Sequence, residues 1–181
     1  MSVLTSCWDR RELDTLIIVT GFCIDKGEES KLKITLQAGE VIESSGGGKG
    51  GGQETKNSSF YMLSKQAGSL HSGISEIDRE STGELFLSHN QIIIFSEAIA
   101  EEGLEQYMDY FLRGRENRLE ENLLISEGSA EDILKNEVQK GEIPSATLSN
   151  MITSITKHST IYNVNLLNYV SDLLDETKSP V

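Results

Sequence analysis

The sequence lacks the features that mark membrane-spanning, disulfide-bonded and nucleic-acid-binding proteins. No apolar run approaches the roughly 20 residues that a helix needs to cross a bilayer. Two cysteines in 181 residues are too few for a disulfide framework or a structural zinc site. The chain carries 29 acidic residues against 16 basic ones, which gives a net charge of -13. Because the phosphates of nucleic acids need a basic face, this charge argues against nucleic acid as a partner.

Sequence signatures of catalysis and cofactor binding are also missing. The three histidines, His71, His89 and His158, have no metal-ligand spacing to one another or to a cysteine. There is no nucleophile elbow and no dinucleotide-binding glycine fingerprint. Acidic pairs such as Glu120-Glu121 lie in patterns typical of solvated surface, and His89 suits a local hydrogen bond at a strand entrance. We therefore expect no enzyme activity, no catalytic residue, no metal and no cofactor.

The stretch from Ser88 to Leu134 predicts a unit of strand, helix, strand and helix. Four consecutive apolar residues, Ile92–Phe95, predict a strand buried on both faces, because a half-exposed strand would alternate. Leu123–Ile125 predicts the next strand, and Ser129 predicts the N-cap of a helix that runs to Val138. Between the strands, apolar residues recur at helical spacing and define one helix face. They are Leu104, Tyr107, Met108, Phe111 and Leu112.

The first third of the chain predicts an antiparallel meander of three strands. The first strand begins at Leu16, and Cys23 inside it is expected to be a buried, inert thiol. A turn follows, in which Gly27 is available for a positive φ. Apolar and polar residues then alternate over 31–36, which predicts a half-exposed second strand.

Together these elements predict an α+β fold, with a mixed sheet of about four or five strands, helices packed on it and a helical C-terminal segment. We expect a single domain over 16–178, with a flexible glycine-rich loop at 44–58. Its six glycines around Lys49 do not form a phosphate loop, because neither Ser nor Thr follows the lysine. We also expect residues 1–15 to form a separate N-terminal segment that includes the remnant of a lipoprotein signal, and 179–181 to begin a linker to further domains.

An ordered series of short matches to one known family extends over most of the chain. The matching residues are Cys7–Leu13, Val19–Gly21, Ile24–Lys26, His89–Gln91, Glu97, Ala100, Gly103, Arg113, Arg118 and Ala130–Leu134. In this order they resemble the Ger(x)C family, the lipoprotein C-subunits of bacterial spore germinant receptors. The resemblance implies the N-terminal domain of a longer, non-enzymatic protein that is needed for nutrient-triggered germination. It also implies a membrane-embedded A-subunit and a transporter-like B-subunit as partners, at the outer face of the spore inner membrane.

Cys7 is the candidate lipidation site. Leu4–Cys7 fits the end of a bacterial lipoprotein signal, and in the family the run that matches Trp8–Leu13 directly follows the lipidated cysteine. The resemblance therefore implies a diacylglycerol anchor on Cys7, and two acyl chains hold a protein at a membrane where one would not. Only six residues precede Cys7, so we expect most of the signal to be absent from this chain.

Arg113 and Arg118 are the candidate partner-docking residues. With Arg115 they form the most concentrated positive charge in an acidic chain. One interpretation is that they cap the preceding helix and form exposed ion pairs with Glu116 and Glu120, each worth little. The other is contact with an acidic partner surface, since arginine is enriched at protein interfaces. Family members carry arginines at the positions of Arg113 and Arg118, which fits both interpretations.

Two functions of other classes stay open at this point. An extracytoplasmic domain that binds small molecules such as nutrients would require a pocket with converging polar groups near the sheet. An unrecognised hydrolase would require a buried nucleophile beside a base.

Overall fold

The structure is a computed structural model that describes residues 15–40, 59–114, 116–136, 142–158 and 163–175. Cys7 and Arg115 lie outside the described residues, as do the predicted loop at 44–58 and the predicted linker at 179–181.

Within the described residues, six strands form one mixed sheet. They are β1 (Leu16–Lys26), β2 (Leu32–Glu40), β3 (Ser59–Ala67), β4 (Glu84–Phe86), β5 (Ile92–Ser96) and β6 (Asn122–Ser126). Along the main path the order is β3-β2-β1-β5-β6, and β4 pairs with β1 beside β5. Strands β1, β2 and β3 are antiparallel neighbours, whereas β5 pairs in parallel with both β1 and β6. The predicted meander and mixed sheet are confirmed, with the short β4 in addition.

Helices cover both faces of this sheet. They are α1 (Leu70–Glu80), α2 (Glu97–Ala100), α3 (Glu105–Arg113), α4 (Ala130–Lys135), α5 (Pro144–His158) and α6 (Leu166–Leu174). On the first face, buried residues of α1, α2, α3 and α6 join one core with side chains such as Phe22 and Ile93. On the second face, α4 and α5 pack over Cys23, Ile92 and Ile94. The predicted α+β class and helical C-terminal segment are confirmed.

Strand β5 contributes side chains to both cores. Each residue of Ile92–Phe95 is completely buried, as the unbroken apolar run predicts. Successive side chains of a strand point to opposite faces, so Ile93 and Phe95 enter the first core, while Ile92 and Ile94 enter the second. A strand with two helical layers has no solvated face, which is why its sequence does not alternate.

The predicted half-exposure of the second strand is wrong from Thr35 onward, although the Lys31 and Lys33 side chains are 50% and 34% exposed. Thr35 and Gln37, on the face that should meet water, are completely buried because α4 and α5 cover it. Thr35 Oγ1 lies 2.9 Å from Ser64 Oγ of β3. The Gln37 amide donates to the Leu134 carbonyl at 2.7 Å and accepts from the Ser145 amide at 2.9 Å. These hydrogen bonds make the burial of polar groups tolerable.

Several local boundaries also differ from the predictions. Helix α4 ends at Lys135 rather than at Val138, and Ser129 makes no side-chain capping bond. The turn after β1 has its positive φ values at Glu29 and Ser30, while Gly27 has a φ of -91°.

Candidate interaction surface

A groove of about 670 Å³ runs along the first face of the domain, between the start of α1 and α3. It is lined by Leu32, Gly68, Ser69, Leu70, His71, Gln106, Tyr107, Asp109, Tyr110, Arg113 and Gly114. A smaller cavity of about 300 Å³ shares part of this wall and continues to Lys26 and Glu102. The two leucines and two tyrosines form an apolar floor, and the polar side chains form an open rim.

Helix α3 supplies more of the groove wall than any other element, and an aromatic cluster holds this helix on the sheet. The ring of Phe111 lies 5.4 Å from that of Phe22 and 6.4 Å from that of Phe95, both in edge-to-face geometry. Tyr110 stacks edge-on to Phe111 at 5.3 Å. Burial, with the charges of Glu116 and Glu121, raises the pKa of Tyr110 to about 12. Tyr110 therefore stays neutral near pH 7.

The structure places Arg113 on the groove rim. Its Nε donates to Asp109 Oδ1 at 2.5 Å, and this hydrogen bond raises the pKa of the Arg113 guanidinium. The side chain is 81% exposed, so the pair with Asp109 contributes little to stability. Arg113 also occupies the last turn of α3, where a positive charge suits the helix dipole. Both interpretations of this residue therefore stay compatible with its position.

Arg118 lies in the loop before β6 and does not line the groove. Its side chain is exposed, and its backbone amide donates to Glu121 Oε1 at 3.0 Å. The two candidate docking arginines therefore belong to different local structures: the groove rim for Arg113 and the loop before β6 for Arg118. Arg115 lies outside the described residues.

A buried carboxylate lies close to Arg118, and the sequence pattern did not predict it. Glu121 is only 3% exposed, which contradicts the solvated reading of Glu120-Glu121. Asn90 Nδ2 donates to Glu121 Oε2 at 2.6 Å. The buried Asn90, rather than the exposed His89, makes the hydrogen bond at the strand entrance. Burial raises the pKa of the Glu121 carboxyl, and the bonds from Arg118 and Asn90 offset part of that rise.

Glu121→Gln should remove a pH-dependent loss of stability. Because the folded-state pKa is raised, the folded protein holds this proton more tightly than the unfolded chain does. The resulting stabilisation is complete below the ordinary pKa and is lost as the pH rises through the folded-state pKa. Glutamine stays neutral, so the free energy of unfolding of the variant should rise relative to the parent as the pH increases above the ordinary glutamate pKa of about 4.3.

Urea denaturation at several pH values measures this difference, with Glu120→Gln as the matched control. Glu120 is exposed, so its variant should track the parent at every pH. The new amide also has an acceptor, since Asn90 Oδ1 has no hydrogen-bond partner among the described residues. A difference between Glu121→Gln and parent that stays constant with pH would contradict the prediction.

Cys23 is a buried, protonated thiol, as predicted. Its Sγ donates to the Ala130 carbonyl at 3.3 Å, at the start of α4. Burial, followed by the nearby carboxylates of Asp25 and Glu131, raises the pKa of the Cys23 thiol well above its ordinary value. Because the thiolate is the reactive form, this cysteine is unreactive in the folded domain.

Over the part of the chain that the structure describes, no three His, Cys, Asp or Glu side chains come together as a metal site would require. Among the same residues, no helix has the length and apolar character needed to span a membrane. What the described surface does offer is an apolar groove with an exposed polar rim.

The fold and this surface define a mixed α+β domain with an open groove and exposed charged side chains on its rim. Residues 9–181 match the family described as spore germination protein N-terminal domain. The chain belongs to this family, which confirms the resemblance to the Ger(x)C proteins.

Curated relatives align with almost the whole chain. The putative spore germination protein YfkR of Bacillus subtilis is 28% identical over 98% of this chain and 45% of its own length. Spore germination protein KC of Bacillus subtilis is 25% identical over 99% of this chain and 44% of its own length. Spore germination protein GerQC of Bacillus cereus is 26% identical over 97% and 46%, respectively. The chain thus spans less than half the length of these relatives, and no solved structure matches it significantly.

Proposed function

We propose that the chain is the N-terminal domain of a longer, lipid-anchored C-subunit of a spore nutrient germinant receptor. The observation that carries the proposal is the family match over residues 9–181, supported by three relatives whose names all place them in spore germination. In this role the domain is a non-enzymatic component that the receptor needs in order to respond to nutrients. Its partners are the membrane-embedded A-subunit and the transporter-like B-subunit.

The charge of the chain supports an anchored location at the outer face of the spore inner membrane. A protein with a net charge of -13 is repelled by an anionic leaflet. A covalent anchor on Cys7 would overcome this repulsion and hold the domain beside its membrane partners. Diacylation is suited to this task, because two acyl chains bind a membrane far more stably than one.

Replacing Cys7 tests the anchor. With the complete signal sequence restored, the Cys7→Ala protein should leave the spore membrane fraction or fail to accumulate, and germination through this receptor should fall. Cys23→Ala is the matched control, because this second cysteine is buried inside the domain and should not affect fractionation. The measurements are membrane fractionation, lipid labelling and nutrient-triggered germination.

The outcomes of this experiment separate the anchor from the receptor role. Cys7 would not be the anchor if the Cys7→Ala protein still carried a lipid label. The same would follow if this protein stayed in the membrane fraction and its spores germinated normally. Normal nutrient-triggered germination after deletion of the whole gene would instead contradict the receptor role itself.

We also propose a partner-docking role for Arg113 and Arg118. Arg113→Glu reverses an exposed charge on the groove rim and should lower the recovery of the A- and B-subunits with the tagged protein, because arginine contacts at interfaces are charge-dependent. Arg79→Glu is the matched control, since Arg79 is also an exposed arginine near the end of a helix. Equal recovery of the subunits with both variants would contradict docking through Arg113.

A second candidate function is small-molecule binding, and the groove is the observation that favours it. Its volume of about 670 Å³ and its apolar floor with polar rim are typical of ligand sites. A thermal shift against a panel of nutrients distinguishes the two functions. A concentration-dependent rise in melting temperature that Arg113→Glu abolishes would favour binding of a ligand in the groove.

A further inference from the structure

Helix α6 carries more apolar surface than the sheet covers. Leu166 and Tyr169 are buried in the first core, as a helix packed on a sheet requires. Leu167 and Leu174 are 46% and 78% exposed. They are seven positions apart and therefore lie on the same side of the helix, two turns from each other. The half-buried Val170 lies between them on that side.

A third exposed leucine lies beside the start of α6. The backbone amide of Leu167 donates to the Leu119 carbonyl at 2.8 Å, so the two residues are neighbours. Leu119 is exposed as well. We call Leu119, Leu167 and Leu174 together the α6 surface. Solvent-exposed apolar residues that cluster in this way mark interaction sites more often than single ones do.

The α6 surface is held in a fixed position. The Leu166 amide donates to the Glu121 carbonyl at 3.1 Å, and the Leu123 amide donates to the Val164 carbonyl at 2.9 Å. These bonds tie the start of α6 to the edge of the sheet at β6. Asn165 caps the helix, because its side chain accepts from the Asn168 amide at 2.8 Å. The leucines are therefore presented by an ordered element with a defined orientation.

The composition of α6 suits a protein contact. In a chain with 29 acidic residues, Asp172 is the single charged residue of Leu166–Leu174. By contrast, α3 has the same length and includes three charged residues, Glu105, Asp109 and Arg113. Charged residues are depleted at the centre of a protein interface compared with the rest of the surface, and α6 shows the same depletion.

The position of α6 in the chain identifies the occupant. The matched family is described as an N-terminal domain, its match ends at residue 181, and the relatives are more than twice as long as the aligned part. In a protein of that length, α6 is the last helix of the described residues before the part of the polypeptide that follows. A tethered segment has a high effective concentration at neighbouring surfaces, so even a modest apolar area can hold it.

We propose that the α6 surface docks onto the part of the polypeptide that follows this domain in the full-length protein. This inference rests on the proposal that the chain is the N-terminal domain of a longer lipoprotein. The contact would fix the angle between the domain and the rest of the subunit. The occupant is apolar where it meets Leu167 and Leu174, because these side chains offer it no hydrogen-bonding group.

Cysteine labelling tests the docking. Leu174→Cys is introduced into the full-length lipoprotein and into the 181-residue chain, and a maleimide reagent labels both under native conditions. Mass spectrometry of the peptides reports the rate at this position alone. Labelling should be about tenfold slower in the full-length protein, because it then waits for the interface to open. Met151→Cys is the matched control: Met151 is 39% exposed on α5, at the opposite face of the sheet, and should react at the same rate in both proteins.

A second variant keeps the test sharp. Leu167→Asp in the full-length protein should open the contact and return Leu174→Cys to the fast rate of the 181-residue chain. Equal rates for Leu174→Cys in the two unmodified backgrounds would overturn the proposal. Slowing that grows with the concentration of the 181-residue chain would assign the surface to a second copy, and slowing only when the A- and B-subunits are present would assign it to them. Both outcomes overturn docking within the chain.

The labelling result and the germination result are independent. If Leu174→Cys is labelled rapidly in the full-length protein and deletion of the gene abolishes germination, the docking proposal fails and the proposed function stands. If Leu174→Cys is labelled slowly and spores germinate normally without the gene, the docking proposal stands and the proposed function fails.

Discussion

Phe111→Ala is expected to lower the free energy of unfolding by about 3–5 kcal/mol. Phe111 is almost completely buried, and its ring packs against Phe22, Phe95 and Tyr110. Alanine would remove the transfer free energy of the ring and leave a cavity between α3 and the sheet. The surrounding rings belong to two strands and a helix, so they can collapse into that cavity only in part. Urea denaturation followed by circular dichroism measures the loss.

Leu112→Ala is the matched control for Phe111. The helical pattern predicted that Leu112 shares the buried face, but the structure leaves it 47% exposed, which makes that part of the prediction wrong. Its truncation should therefore cost much less, within about 1 kcal/mol. Equal losses for Phe111→Ala and Leu112→Ala would contradict the placement of α3. Because α3 also forms the groove wall, Phe111→Ala should distort the groove as well.

Asp25→Ala is expected to cost about 2–4 kcal/mol, since it would leave two backbone amides of a buried helix end without an acceptor. Asp25 lies on β1 and is buried. Its Oδ1 accepts from the Ala130 amide at 2.7 Å, and its Oδ2 accepts from the Glu131 amide at 3.0 Å. Its negative charge also suits the positive end of the α4 dipole. Asp25 thus provides the cap that Ser129 was predicted to provide.

Two further variants test this prediction: Asp25→Asn should have an intermediate effect, and Asp132→Ala is the exposed control. Asparagine keeps one acceptor oxygen and no charge, so its variant should fall between parent and Asp25→Ala. Asp132 lies in the same first turn of α4 but is exposed, and its ion pair with Lys135 at 3.5 Å contributes little. Asp132→Ala should therefore change the free energy of unfolding by less than about 1 kcal/mol. If Asp132→Ala lowered the free energy of unfolding as much as Asp25→Ala does, negative charge at the start of α4, rather than the two buried hydrogen bonds, would be what stabilises this helix.

Part of the candidate site could be predicted from local sequence patterns, and the rest depends on contacts between distant residues. Arg113 could be selected from the sequence, because a cluster of arginines after an apolar helix face stands out in an acidic chain. The groove beside it could not, since it forms only where Leu32 of β2 and the start of α1 meet α3. The burial of Glu121 could not be predicted from the sequence for a similar reason. Its immediate neighbours in sequence are polar, and the side chain that donates a hydrogen bond to it, Asn90, lies 31 positions earlier.

Local patterns were enough to predict the strand at Ile92–Phe95, the antiparallel meander, the mixed α+β class and the family. These follow from periodicity and from an ordered series of residues, which are properties of the chain before it folds. Long-range packing, by contrast, buries Thr35 and Gln37 on the second face of β2, brings Asp25 to the start of a helix 105 positions later and leaves Leu167 and Leu174 exposed. Burial and capping at such separations depend on which elements meet across the sheet. A local pattern states only which side of an element prefers an apolar neighbour, and the assembled layers decide whether that neighbour is present.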